Sequence, residues 1–565
     1  MRGIFCSFAA MKPKMERKRV LRDMAILSGL TVLLMSLPFL VPGCGALALI
    51  GLLPLLVMER IADEAKVRRL WIWHYGTFLL WNTVTTWWVA EATLGGAVFA
   101  ITANALQMSL IFGLFRAVKK RIGRGVPAYL FLAVAWIAWE RYYLCWADIS
   151  WPWLVLGNAF AGDLPLVQWY EWTGTLGGSL WVWASNLSLF ALLLRLVGSG
   201  WRSLLPKARI AAVAALVLLY AGPLTLSLSR WYGFDEAEGV DGELPFLIVQ
   251  PNIDPYAKFQ TATQEGYDRQ LIDTADAFLA DRGEGGTLLV VAPETFTWGM
   301  LEGWLDGHSS QRRFREDLLQ AHPETAVNLL YGASTHEIFE GETAPSRTAR
   351  RIDGDWYEDH NSALMTDASG RIDIYHKSKL VVGVESTPYP VVFVPIDEWL
   401  GGVMGRNIGQ PCRTALPVVT AEGERIGVGC AICYESVYGE FCTEYVRDGG
   451  ARLLSVITND GWWGDTPGYR QHLRYSSLRA IETRREILRC GNTGISAHID
   501  RRGRILAETP WWQPATLSGV ARLSSEQTFF VRNGDIVGRV CVLLFILLLG
   551  LAVVGKLRYQ DSNLN

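Results

Sequence analysis

The sequence is poor in net charge, in clustered cysteine and in repetition. Its 53 Lys and Arg against 55 Asp and Glu leave a formal charge of -2, so it has no basic excess of the kind a nucleic-acid partner would need. The nine cysteines are scattered over 565 residues. Cys6, Cys44, Cys145 and Cys541 lie in or beside apolar stretches, and Cys412, Cys430, Cys433, Cys442 and Cys490 in a more polar part. That excludes the dense framework of a small disulfide scaffold. Cys430-Ala-Ile-Cys433 reads C-x-x-C. No second C-x-x-C or H-x-x-x-H completes a metal site, so no metal and no cofactor is expected. Internal repeats and low-complexity tracts are also absent. The first apolar run leads into a second apolar segment, so an uncleaved first span is expected rather than a cleaved signal peptide.

What the chain has is long apolar runs. The mean hydropathy of +0.18 averages two regimes. Residues from about Met24 to Leu228 are apolar and rich in Trp, those from about Trp231 to Asp535 have a soluble composition, and a last apolar run covers 536–554. A bilayer core takes about 20 apolar residues per helix. Eight candidates appear, near 24–41, 44–58, 71–91, 96–117, 127–146, 176–199, 208–229 and 536–554. The first two flank Pro42-Gly43 and are either a tight hairpin or one interrupted element. The expected domains are a membrane domain over 1–231 with about seven helices, a catalytic domain over 232–535, and a C-terminal helix with a short tail over 536–565.

The basic residues orient these spans. Arg17, Lys18, Arg19 and Arg22 precede the first; Arg60, Lys66, Arg68 and Arg69 follow the second. Lys119, Lys120, Arg121 and Arg124 follow the fourth; Arg195, Arg202, Lys207 and Arg209 separate the sixth from the seventh; Lys556 and Arg558 follow the eighth. The alternate loops, Val41–Gly45 and Glu91–Gly96, lack Lys and Arg. By the positive-inside rule both termini are cytoplasmic and the domain between spans seven and eight lies outside. Asn82, Glu140 and Arg141 are costly within spans and are expected to face the bundle interior. The connector holding Trp151-Pro-Trp153 and Trp169–Trp172 reads as an interfacial aromatic belt or as a platform admitting a lipid chain.

The soluble part alternates strand-like and helical runs, which predicts an α/β layered domain. Strands are expected at Phe246–Gln250, Thr287–Glu294, Asn328–Ser334, Ser362–Thr366, Arg371–His376, Arg425–Cys433, Leu453–Thr458 and Gly494–Ile499, and helices at Tyr267–Ala280 and Leu473–Arg489. Three runs end in reactive residues. A carboxylate at Glu294, closing a buried strand, suits proton transfer. Lys377 suits stabilisation of an oxyanion. Cys433 beside a cation and a base suits nucleophilic attack. Adjacent strand residues point to opposite faces, so only one of His376 and Lys377 can face Cys433, whereas Lys379 shares the face of Lys377 if the strand continues. His472 reads as a capping or packing residue.

Pro293-Glu294, Tyr375-His376-Lys377 and Cys433-Tyr434-Glu435, in that order, resemble the Glu–Lys–Cys triad of the nitrilase superfamily. Asn459-Asp-Gly-Trp-Trp-Gly464, Gln471-His472, Arg489-Cys-Gly-Asn-Thr-Gly494 and Val249-Gln-Pro-Asn-Ile253 resemble the corresponding segments of bacterial apolipoprotein N-acyltransferases, as does the layout of seven spans before the domain and one after. The resemblance implies a helical membrane bundle plus an extracytoplasmic αββα sandwich in the bacterial inner membrane. It implies transfer of a fatty acyl group from a phospholipid donor to the α-amino group of a diacylated apolipoprotein. It makes Glu294 the general base, Cys433 the acylated nucleophile and Lys377 the oxyanion partner. It adds Glu385 and Glu435 as further acidic positions and Tyr434 and Asn361 as supporting ones. Two departures stand out: Leu380-Val-Val-Gly-Val-Glu385 replaces the family's Leu-Val-Pro-Phe-Gly-Glu, and Phe259 stands where a Trp is frequent. A membrane-tethered amidase using water, or a transporter or scaffold with an inactive nitrilase-like domain, are the alternatives.

Overall fold

The computed structural model describes residues 17–123, 125–197, 201, 204–256, 258 and 263–561. The chain divides into two compact units: one holds the helices before Phe234 and the helix after Asp535, the other Ala147–Ser150 and Asp235–Gly534. Phe259, singled out in the sequence, lies outside the described residues.

The first unit is helical: α1 (Arg17–Leu40), α2 (Leu53–Glu64), α3 (Leu70–Thr86), α4 (Leu94–Ile122), α5 (Val126–Cys145), α6 (Thr175–Val197), α7 (Pro206–Tyr232) and, at the end of the chain, Ile536–Asp561. Among the described residues six segments are long and apolar enough to cross a membrane: α1, Gly45–Glu64, α4, α6, α7 and Ile536–Val554. The other two sequence candidates are helices of a different character. α3 has only 17 residues, about 26 Å at the usual rise, and α5 is rich in Trp and Tyr. The first two candidates are two separate elements that pack on each other. The second is broken near Leu52, where the side chain of Asn186 accepts from the Leu52 N–H at 2.9 Å and donates to the Ala48 carbonyl at 2.9 Å. This partnership supplies the backbone bonds that apolar surroundings cannot. Asn82, Glu140 and Arg141 are all buried. Asn82 accepts from Asn104 at 2.7 Å, Glu140 accepts from the Leu156 N–H at 2.9 Å, and Arg141 pairs with Asp535 at 2.9 Å. Trp151 and Trp153 of the aromatic connector stack at 4.9 Å.

The second unit is a four-layer αββα sandwich. One sheet has the strand order β14-β1-β2-β4-β6-β5, with β3 on β4 and β7 on β6. Its strands are β1 (Gly242–Gln250), β2 (Gly286–Val291), β3 (Thr297–Leu301), β4 (Thr325–Phe339), β5 (Arg350–Ile352), β6 (Asp355–Thr366), β7 (Ile372–His376) and β14 (Ala515–Leu523). The other sheet runs β13-β12-β11-β10-β9-β8, from β8 (Ala415–Val419), β9 (Arg425–Ile432), β10 (Leu453–Thr458), β11 (Ile487–Gly491), β12 (Ala497–Ile499) and β13 (Ile505–Glu508). Period-two alternation sorts the faces. Leu247, Val249, Leu288, Val290, Val327 and Leu329 pack against Leu271, Ala275 and Leu279 of helix α8 (Gln264–Arg282). Their neighbours Phe246, Ile248, Leu289 and Val291 are buried on the opposite face, toward the second sheet. Across that interface Asn328 exchanges hydrogen bonds with the backbone of Val419, at 2.9 and 2.8 Å. Helices α9 (Gly439–Arg447) and α10 (Pro467–Thr483) cover the outer face of the second sheet.

Two expected elements differ. The helix expected over Leu473–Arg489 stops at Thr483, because Arg484 adopts a left-handed conformation (φ 50°) and the chain then enters β11 as a buried central strand. The apolar run Ile487–Cys490 satisfies helix and buried-strand patterns alike, and the sheet decides between them. The strand expected to include Cys433 ends at Ile432.

Candidate active site

Glu294 and Cys433 both sit just beyond the C-terminal ends of parallel strands, β2 and β9, where the chain turns sharply. Cys433 has φ 52° and Thr295, next to Glu294, has φ 48°. A side chain in the left-handed region costs on the order of 1–3 kcal/mol and is held only where the surroundings over-determine it. At Cys433 the surroundings are specific. The Cys433 carbonyl accepts from Ser436 Oγ at 2.8 Å and lies 3.0 Å from His472 Nε2. His472 Nδ1 lies 2.9 Å from Asp460, which also accepts from Thr458 at 2.8 Å and pairs with Arg489. This buried chain clamps the turn from behind. Burial alone would raise the Asp460 carboxyl, but Arg489 and His472 hold it well below the usual carboxylate range. Close packing fixes Glu294 in a similar way: a Cβ built on Gly332 of β4 would lie 2.6 Å from Glu294 Cα and 2.7 Å from the Pro293 carbonyl. Only glycine admits that approach.

Lys377 follows β7 and is fully buried. Its Nζ donates to Glu294 Oε1 at 3.0 Å and to Glu385 Oε1 at 2.9 Å. Asn361 of β6 reproduces the same fork, donating from one Nδ2 to Glu294 at 2.8 Å and to Glu385 at 2.7 Å. The second oxygen of Glu294 accepts from the Asn459 N–H at 3.1 Å, and that of Glu385 from the Val381 N–H at 2.7 Å. Burial works against the Lys377 ammonium, yet Glu294 and Glu385 together keep its pKa well above the ordinary lysine value. The half-buried Cys433 thiol is pushed up by burial and by Glu294, with Lys377 opposing. The resting group is therefore a neutral thiol, and a thiol in that state needs a base before it can act as a nucleophile.

The altered segment after Lys377 keeps its reach. Val381–Ser386 forms a tight turn, with Glu385 N donating to Val381 O at 2.8 Å and Gly383 at φ 79°. That turn returns the Glu385 carboxylate to Lys377 without the Pro-Phe-Gly sequence. Lys379 is elsewhere: β7 ends at His376, so the strand alternation does not carry on, and the Lys379 ammonium lies 5.2 Å from the centre of the Tyr438 ring. His376 lies on the other side of β7 and is 3.0 Å from Ser362. Burial and then the neighbouring His360 lower its pKa to about 4.

Glu435 and Tyr434 are placed for support. Glu435 Oε1 accepts from Tyr375 at 2.8 Å, Ser378 N at 2.6 Å and Lys379 N at 3.2 Å; its Oε2 accepts from Ile432 N at 2.8 Å and Tyr445 at 3.0 Å. One carboxylate thus ties the backbone on either side of Cys433 to the backbone after Lys377. Burial raises its pKa against those hydrogen bonds. The Tyr434 hydroxyl donates to the Ser150 carbonyl at 2.7 Å. Sequence reasoning missed the Asn459 N–H, the His472–Asp460 clamp and Lys258. Lys258 donates to the Thr295 carbonyl and lies 5.0 Å from the Trp298 ring; burial lowers its pKa to about 8, with Glu294 opposing. No local pattern marks Lys258, whereas the other two lie in the Asn459-Asp460 and Gln471-His472 segments, whose arrangement here depends on tertiary contacts.

Comparison with known proteins agrees with this layout. Residues 249–528 match the carbon-nitrogen hydrolase family and residues 31–188 the apolipoprotein N-acyltransferase N-terminal domain. An apolipoprotein N-acyltransferase of Chlorobaculum tepidum is 29% identical over 506 residues, covering 88% of this chain and 90% of the relative. One of Geobacter metallireducens is 28% identical over 562 residues, 96% of each chain, and one of Haemophilus influenzae 25% identical over 538 residues, 93% of each. With a helical membrane unit and a nitrilase-type sandwich both matched in chain order, the chain belongs to the apolipoprotein N-acyltransferase family, the membrane-bound branch of the nitrilase superfamily.

Proposed function

We propose that the chain transfers a fatty acyl group from a phospholipid to the N-terminal amine of S-diacylglyceryl-cysteine on lipoproteins, by way of a thioester on Cys433. The observation that carries the reading is the constellation at the strand ends: the buried Lys377 and Glu294 are hydrogen-bonded, and both act electrostatically on the half-buried Cys433 thiol. Glu294 takes the thiol proton as sulfur attacks the ester carbonyl. Lys377 stabilises the tetrahedral oxyanion; a donor placed this way contributes about 3–4 kcal/mol in other acyl-transfer enzymes. The ester C–O bond breaks, Glu294 returns the proton to the departing lysophospholipid oxygen, and the thioester remains. The lipoprotein amine then attacks the thioester and gives a proton to Glu294. Cleavage of the C–S bond restores the thiol as that proton returns to sulfur. Glu385 and Asn361 position Lys377 and Glu294, and Glu435 positions the two loops. Intact mass spectrometry of the protein incubated with phospholipid should show one acyl adduct, absent from Cys433→Ala. An adduct that persists in Cys433→Ala refutes the thioester, and fatty acid release without an amine acceptor would indicate a hydrolase.

The donor and acceptor are both lipids, which accounts for membrane segments over 1–231 and 536–565 that flank a catalytic domain over 232–535 in the chain. The basic clusters favour placement of that domain on the periplasmic side of the inner membrane. Cys412 is exposed, so a membrane-impermeant maleimide should label it in intact spheroplasts. Labelling only after lysis would reverse the orientation.

A further inference from the structure

Strand alternation gives β6 and β7 two chemically different faces. Asn361 and Lys377 meet Glu294 and Glu385 on one of them. The other face carries His360, Ser362 and His376, with Thr335 opposite His360 on β4 and Ser362 opposite His376. Glu302, just after β3, completes the group. One ligand atom from each of Glu302, His360 and His376 lies within 4.8 Å of the others, and the two imidazole rings are 4.2 Å apart between centres.

The hydrogen bonds around this cluster set the tautomers. His360 Nδ1 lies 2.8 Å from the Ile408 carbonyl, which can only accept, so Nδ1 carries the proton. His360 Nε2 is then a bare lone pair; it is buried without a hydrogen-bond partner, on a residue only 6% exposed. Thr335 Oγ1 donates to Glu302 Oε1 at 2.7 Å, so it accepts from Ser362 Oγ, also at 2.7 Å. Ser362 in turn accepts from His376 Nδ1 at 3.0 Å, which leaves Nε2 of His376 as the second lone pair. Two imidazoles whose Nδ1–H groups are fixed by a carbonyl and a hydroxyl, beside a carboxylate, have the supporting hydrogen bonds that orient metal-ligating histidines. A buried acceptor with no donor costs about 1–3 kcal/mol, and a cation removes that cost.

We propose that Glu302, His360 and His376 bind a divalent first-row cation, with zinc the preferred ion. Two nitrogens and one carboxylate with a fourth position left open are a zinc ligand set. The ion sits behind the catalytic face and ties β6 and β7 to the end of β3. These two strands deliver Asn361 and Lys377, each one residue from a ligand.

The test uses the full chain in detergent, stripped with a chelator and titrated with Zn²⁺ or Co²⁺ alone. One equivalent of zinc should bind, raise the unfolding temperature, and weaken at least tenfold in both His360→Gln and His376→Gln. Cobalt should give visible d–d bands without a thiolate charge-transfer band. The band pattern is read on the unsubstituted protein, so it decides the matter even where a variant fails to fold. No zinc uptake, an affinity unchanged in both variants, or a thiolate band assigning the ion to a cysteine such as the exposed Cys412 would each overturn the proposal.

Discussion

Replacing Lys377 by Met removes the one cation shared by Glu294 and Glu385. Both carboxylates accept from the same Asn361 nitrogen, at 2.8 and 2.7 Å, so their nearer oxygens are no more than about 5.5 Å apart. Two unit charges at that separation repel by about 3 kcal/mol at the effective dielectric of ~20 that suits protein sites. With the ammonium in place its two ion pairs offset that repulsion; without it the repulsion is uncompensated, and removing one partner of a buried ion pair costs about 3–5 kcal/mol. Lys377→Met should lose stability of that order, and thioester formation should fall as well, from loss of oxyanion stabilisation. Lys377→Met/Glu385→Gln separates the two effects, since it removes the second carboxylate. Its stability should return toward the wild-type value while the rate of thioester formation stays low. The assays are unfolding in detergent and single-turnover thioester formation at neutral pH, read by mass spectrometry. Unchanged stability in Lys377→Met, or an equal loss in the double variant, refutes the shared-charge account.

The raised pKa of Cys433 predicts slow alkylation by iodoacetamide at neutral pH, with a rate that climbs only above the ordinary thiol range near 8.5. Glu294 contributes to that elevation, so Glu294→Gln should alkylate faster at a given pH and yet lose about 100-fold or more in acyl transfer; slower alkylation would contradict the electrostatics. In Gly332→Ala the new Cβ would overlap the Pro293–Thr295 backbone. It should destabilise the protein by about 1–3 kcal/mol in denaturant titration and cut thioester formation at least tenfold through displacement of Glu294, and unchanged kinetics would show that the turn can yield.

The alternation of apolar residues in β1, β2, β4 and β9 and the long apolar runs of α1, α4 and α6 were legible because local periodicity and length determine them. The order Glu294, Lys377, Cys433 was legible because each follows an apolar strand and each has a reactive group. Local pattern could not decide between helix and strand for Ile487–Cys490, where a left-handed Arg484 and a place in the centre of a sheet won. Nor could it choose between Lys377 and Lys379. That choice depends on β7 ending at His376 and on Glu385 and Asn361 arriving from elsewhere to hold one ammonium and not the other. The sequence by itself determined a set of apolar spans joined to an α/β layered domain, with Glu294, Lys377 and Cys433 each at the end of a strand-like run, since both are written in runs of a few to twenty residues. Only the tertiary structure decided which charges share a site, how Cys433 is held in its strained turn, and that Glu302, His360 and His376, separated by 58 and 16 positions in the chain, meet behind it. Those outcomes depend on strand order and register, which bring distant residues together through packing that no short stretch encodes.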